Sequence, residues 1–159
     1  MKPFELEAFY PYPIEQVWGA LTEPDALEQW LMRNESFKPV KGQKFKFYAK
    51  PVMGWDGTAR CEILEVDKPH KLCWSQAGND DGKDPFIITW TLKEEGKGTR
   101  LTLVHEGFKG LKGLAIKRFM GEGWKRMFHQ RIPLVLEYAA KNGWQKFPKD
   151  RRLVETDCH

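Results

Sequence analysis

The sequence predicts an α+β fold: a curved, antiparallel six-stranded sheet wrapped around one long C-terminal helix, with two short helices plugging one end. Three observations predict it. Apolar residues alternate with polar ones in one stretch near the N-terminus and in five more between Lys44 and Glu106, the signature of half-buried strands. The last five strands are separated by short turns and no helix, which implies an antiparallel meander and not a βαβ fold. After Gly107-Phe108 the period changes to the helical one.

The elements follow in the order β-α-α-β-β-β-β-β-α. Phe4, Leu6 and Ala8 alternate with Glu5 and Glu7 in the first strand. Pro13 suits a first helical position, and Ile14, Val17, Trp18 and Leu21 follow at helical spacing. Thr22-Glu23-Pro24-Asp25 restarts the chain with cap-type residues, and Leu27, Trp30 and Leu31 give a second short helix its apolar face. Phe45, Phe47 and Ala49 mark the second strand. The turn Gly54-Trp55-Asp56-Gly57 leads into the third, Thr58 to Val66. Lys71 to Gln76, Phe86 to Lys93 and Thr99 to Glu106 are the fourth to sixth, and the last of these sets Leu103 and His105 on one face and Glu106 on the other. From Glu122 to Asn142, Trp124, Met127, Phe128, Val135, Tyr138 and Ala139 form one helical stripe, a rod of about 30 Å. Pro133 should kink it around His129–Ile132. Gly143 is a helix stop. Residues 1–143 therefore form one domain, and 144–159 form a polar tail.

Composition narrows the function classes. The 159 residues are 41% hydrophobic and 30% charged, with a net charge of +4, as expected of one water-soluble globular domain. Seven Trp, ten Phe and four Tyr make up 13% of the chain, so large rings must fill the core, line a cavity, or both. Met1–Glu7 has no apolar run of a secretory signal, and no segment has the apolar length of a membrane span. Cys61, Cys73 and Cys158 are odd in number and lack CxxC spacing, which suits the cytoplasm. Cys61 and Cys73 should lie on neighbouring strands as buried thiols. His70, His105, His129 and His159 are scattered in no metal-binding pattern, and no cofactor loop is present.

The motifs carry a resemblance. Pro13-xxx-Val17-Trp18-x-Ala20-Leu21-Thr22-x-Pro24-xx-Leu27-xx-Trp30-Leu31 opens it, and Ile63-Leu64-Glu65-Val66-Asp67-x-Pro69-xx-Leu72 continues it. Thr89-Trp90-Thr91-Leu92, then Gly98-Thr99-Arg100-Leu101-Thr102-Leu103-x-His105-x-Gly107-Phe108, and finally Gly123-Trp124 complete it. In this order, over roughly residues 3–142, the chain resembles the single-domain homologues of the activator of heat-shock protein 90 ATPase, within the START-like, helix-grip superfamily also called SRPBCC. The resemblance implies the helix-grip fold and a hydrophobic cavity for lipids, polyketides, steroids or aromatic compounds. It supplies no shared catalytic motif. The co-chaperone role belongs to larger eukaryotic relatives with a further N-terminal domain.

A sheet that grips a helix leaves a wedge-shaped gap between them, and that gap is where a hydrophobic or amphipathic small molecule would sit. Strand parity places Phe47, Trp74, Ile88, Trp90, Leu103 and His105 on its walls from the sheet, and Trp124 and Phe128 from the helix. His105 would orient a polar group of the ligand, or act as the acid–base group of a cyclase- or hydrolase-like enzyme. Against those readings, each ring could be plain core and His105 a hydrogen-bonded core histidine. Between Lys109 and Arg131 seven Lys and Arg face a single Glu122. That basic stretch could meet nucleic acid, an anionic membrane or a chaperone, or be a solvated helix face. It could also ring the cavity mouth and attract an anionic ligand end, which is preferred to nucleic acid because no RRM, HTH, KH or zinc-finger pattern appears.

Overall fold

Strand parity is realised in the structure, a computed structural model that describes residues 1–52, 54–144 and 147–148. β1 (Phe4–Tyr10) is followed by α1 (Ile14–Thr22) and α2 (Pro24–Trp30). Then come β2 (Arg33–Glu35), β3 (Lys44–Tyr48), β4 (Thr58–Asp67), β5 (Lys71–Ala77), β6 (Phe86–Glu95) and β7 (Gly98–Glu106). All pair antiparallel in the order β1-β7-β6-β5-β4-β3-β2. The meander is thus as expected, with β1 closing against the last strand. The sheet has seven strands and not the expected six. The addition, β2, is three residues long, too short for an alternation to show.

Inward-facing residues are those the alternation selects. Ile88, Trp90 and Leu92 on β6 and Leu101, Leu103 and His105 on β7 are buried, while Thr91 and Glu106 are exposed. Register in β6 and β7 is unbroken from Ile87↔Glu106 to Glu95↔Gly98. The one irregularity, between Ile63 and Glu65 on β4, is a bulge of the kind that bends a strand and raises its twist.

The long helix starts earlier than its apolar stripe suggests. α3 runs Gly110–Arg126, a π turn covers Met127–Arg131, and α4 runs Ile132–Asn142. The start at Gly110, not Glu122, escapes the hydropathy pattern because two inward positions ahead of Glu122, Gly113 and Gly121, are glycines. Gly121 lies against the Phe4 ring, where a side chain would collide. The kink expected around His129–Ile132 takes the form of the π turn. Pro133 has no N–H to continue the α ladder, and the Ile132 N–H reaches back to the Met127 carbonyl. That shift leaves the Phe128 carbonyl to accept the Tyr10 hydroxyl at 2.7 Å. α4 then packs on α1 and α2, and α3 on β1.

Segment 144–159, expected as a polar tail, begins with residues held on the core. Trp144 lies against Gly19 of α1, and Phe147 is buried with its ring stacked 5.0 Å from Tyr138. Gln29 donates to the Pro148 carbonyl at 2.9 Å. Asp157, Cys158 and His159 lie outside the described residues.

Two glycines around α3 predict opposite effects. Gly107 turns the chain into α3 at φ +111°, and a Cβ there would come within 2.9 Å of the Pro85 carbonyl oxygen. Gly107→Ala should cost about 1–3 kcal/mol. Gly123 lies inside α3, and its Cβ would meet only the Arg126 guanidinium, at 3.9 Å. Gly123→Ala should add about 0.5–1 kcal/mol. Urea unfolding of both variants checks the pair, and equal signs would contradict the packing described.

Candidate functional site

The eight residues chosen from the sequence come together, but as a solid aromatic mass. Phe47, Trp74, Ile88, Trp90, Leu103, His105 and Phe128 have no exposed surface and Trp124 has 4%. Trp90 is the hub. Its ring lies 5.7 Å from Trp30, 6.0 Å from Trp74, 5.5 Å from Trp124 and 5.9 Å from Phe128. Phe47 reaches the group through Trp74, 5.7 Å away. Most of these pairs are edge-to-face or tilted, the arrangements favoured by ring quadrupoles. Parity finds the inward face; it does not say at which level along the strands the wedge stays open.

The open level is next to this mass. A cavity of about 330 Å³ lies between the ends of β4, β5 and β6 and the first turns of α3, within the usual range of small-molecule sites. Ala59, Gln76 and Phe86 form its sheet wall, Ile116, Phe119 and Met120 its helix wall, and Trp55 its side. Trp55 is fixed by an Nε1–H bond to the Thr58 carbonyl at 2.9 Å. None of the eight residues is among those lining the cavity. Phe86 is the partition, since its ring is 4.7 Å from His105 on the core side.

Polar groups at the cavity divide by depth. Inside, Gln76 is 8% exposed, and its Oε1 accepts the Trp74 indole N–H at 3.2 Å. Its amide donors have no partner among the described residues and are available to a ligand acceptor. At the mouth are Lys83, Asp84, Asn79 and Lys112. Asp84 is engaged by Lys109 at 2.9 Å, whereas Lys83 and Lys112 have no acidic partner among the described residues. Of the seven cations between Lys109 and Arg131 one, Lys112, lines the cavity; the other rim cation, Lys83, lies outside that stretch.

His105 stands behind the wall as a neutral group. Its Nδ1 accepts the Trp124 Nε1–H at 2.9 Å, which puts the imidazole proton on Nε2. Nε2 is buried without a partner, and the imidazole packs with its ring centre 4.7 Å from those of both Phe86 and Phe108. Burial lowers the imidazole pKa from 6.5 to about 3, because the dry surroundings disfavour the charged form. Burial also pushes up the thiol of Cys61. Cys61 and Cys73 are free and lie on adjacent strands, as expected.

Sequence reasoning missed most of the wall. Ile116, Phe119 and Met120 fall at helical spacing ahead of Trp124, which was the available signal, but the basic residues among them masked it. Trp55 stands in a turn, where periodicity carries no information. Gln76, next to last in β5, pairs with Phe86, the first residue of β6, so both lie at the open level.

The comparisons with known proteins bear on the fold. The family model described as Activator of Hsp90 ATPase homolog 1-like protein matches residues 11–137. The chain is similar to the solved protein MLL2253 from Mesorhizobium loti, at 27% identity and TM-score 0.71, covering 86% of this chain and 97% of that one. It is also similar to PFC0360w, an HSP90 activator from Plasmodium falciparum, at 23% identity and TM-score 0.67, covering 86% and 97%. A third is the Aha1 dimer from Colwellia psychrerythraea, at 20% identity and TM-score 0.67, covering 90% and 98%. The last two show the fold alone, the helix-grip arrangement described above. No curated protein matches the chain.

The buried imidazole predicts an acid-side instability. The unfolded chain takes a proton on His105 near pH 6.5, and the folded one resists until about pH 3. The unfolded state binds more protons in that window, so stability is full above it and falls as pH drops through it. His105→Asn keeps an acceptor for Trp124 without a titrating ring. The stability advantage of the wild type over this variant should shrink below pH 6.5 by about 1.4 kcal/mol per pH unit. Melting temperatures across pH 7 to 4 check this, and parallel curves would contradict the neutral assignment.

Proposed function

Because the chain belongs to the Activator of Hsp90 ATPase homolog 1-like family, whose model spans residues 11–137, and keeps an open cavity within that fold, we propose that it binds an amphipathic small molecule there. The apolar or aromatic body of the ligand lies between Phe86 and the α3 side chains Ile116, Phe119 and Met120. A carbonyl or hydroxyl accepts from the Gln76 amide, and an anionic end rests at Lys83 and Lys112. The observation that carries this reading is the wall itself: aromatic and aliphatic side chains with one amide donor group, that of Gln76, that no protein acceptor among the described residues takes. A lipid acid or a phenolic polyketide has this chemistry. Transport, sensing or sequestration in the cytoplasm all fit it, and the free Cys61 and Cys73 suit a reducing compartment.

The geometry favours binding over acid–base catalysis by His105. At neutral pH the imidazole is uncharged, its Nδ1 is occupied by Trp124, and the Phe86 ring stands between it and the cavity. A proton carrier needs hydrogen-bond reach to its substrate. Modulation of a chaperone ATPase has its support in the family description, not in a feature of this site.

Titration with fatty acids and polyphenols, followed by tryptophan fluorescence and melting temperature, tests the proposal. A true ligand at a hundred times its Kd should stabilise the fold by about 2.7 kcal/mol. Ile116→Trp, which fills the cavity, should abolish that gain. Gln76→Leu should weaken a carbonyl-bearing ligand about five- to tenfold, the worth of roughly one hydrogen bond. Stabilisation that persists in Ile116→Trp would place the ligand elsewhere.

A further inference from the structure

We propose that the first turns of α3 form a docking surface for an anionic lipid bilayer, with the cavity mouth held against it. Nine large hydrophobic residues are substantially exposed on the described chain, and three of them, Leu111 (88%), Leu114 (54%) and Phe119 (50%), stand on α3 within nine residues. A fourth, Val52 (39%), lines the same cavity as Phe119. At about 100° per residue, Leu114, Leu111 and Phe119 fall within about 140° of the helix circumference, so the three share one side of α3.

Cations ring the patch. Lys112, Lys117 and Arg118 have no acidic partner among the described residues, and Lys83 lines the cavity together with Lys112. Lys117 makes only a backbone contact, to the Lys2 carbonyl at 2.9 Å. The first turn of α3 carries no acidic residue, so the positive end of the helix dipole adds to these charges instead of being offset. Exposed leucines and a phenylalanine set among lysines and arginines are the pattern of helices that lie in a lipid interface, with apolar side chains about 5–10 Å deep and cations on the headgroups. Among the described residues no helix is long and apolar enough to cross a membrane.

Charge selects the occupant. A second copy of the chain docked face to face would bring these cations against their own kind, at a cost the leucines would have to overcome. Nucleic acid would satisfy the charge but leave Leu111 and Leu114 in water. An anionic bilayer satisfies both. Docking stands independently of what fills the cavity, though it would present the mouth to a lipid reservoir.

Sedimentation of the full chain with vesicles tests it. Vesicles of equal parts phosphatidylcholine and phosphatidylserine should retain the protein, pure phosphatidylcholine should not, and added salt should release it. Leu111→Asp/Leu114→Asp and Lys117→Gln/Arg118→Gln should each reduce retention at least about tenfold. These four side chains are outside the cavity wall, so ligand titration in solution should not change, and failure here is distinguishable from failure of the binding proposal. Circular dichroism confirms that the variants are folded. Equal retention by the two vesicle types would overturn the proposal, as would retention that survives the leucine pair. So would a dimer that the leucine pair dissolves, with no vesicle binding by the wild type.

Discussion

The Trp90 indole holds the layers of this molecule together. It stands at the centre of the sheet and touches a ring from α2, one from β5, one from α3 and one from the π turn. Rings are rigid and bury large area for few rotatable bonds, so a cluster of them fixes distances between elements that aliphatic side chains would leave adjustable. One consequence is that the wedge between sheet and helix fills completely at this level. Beyond it the wedge is open, between Phe86 and Met120. Cavity and core are two levels of one wedge, separated by a single ring.

The π turn ties β1 to the long helix at the joint between α3 and α4. Pro133 forbids an uninterrupted α ladder, and the extra residue in the turn releases the Phe128 carbonyl to the Tyr10 hydroxyl. Burial raises the phenol's pKa, so it stays a donor and the β1-to-helix tie does not titrate at ordinary pH. On one side of the tie α4 sits over the plug helices; on the other α3 crosses to the open level. Arg131, at the end of the turn, is buried and reaches the Trp30 carbonyl at 3.4 Å, linking the turn to α2. A proline that looks like a defect in the sequence thus marks the joint between the filled and the open halves.

Much of this was legible in the residues, for physical reasons that also set the limit. Two-residue alternation selects faces, and it did so for Leu103, His105 and Glu106 without error. It requires length, so the three residues of β2 escaped it. Helical periodicity requires side chains on the buried stripe, so the glycines at 113 and 121 hid the start of α3. Neither period measures distance along a strand. Trp74 and Gln76 share a face of β5, yet one is sealed in the aromatic mass and the other lines the cavity. Only the crossing of helix and sheet distinguishes those levels, and that is a property of the whole assembly.

The same depth ordering constrains what a ligand can be. The titratable groups just behind the cavity, His105 and Cys61, are both held neutral by burial, which marks that end as a poor solvent for charge. A carboxylate or phosphate carried inward would face the same penalty with only the Gln76 amide to offset it. At the mouth, Lys83 and Lys112 stand in contact with water and without carboxylates of their own. For the ligand proposed above, charge would stay outside while the apolar body goes in. Under that proposal, a molecule charged at both ends, or polar along its length, would bind poorly.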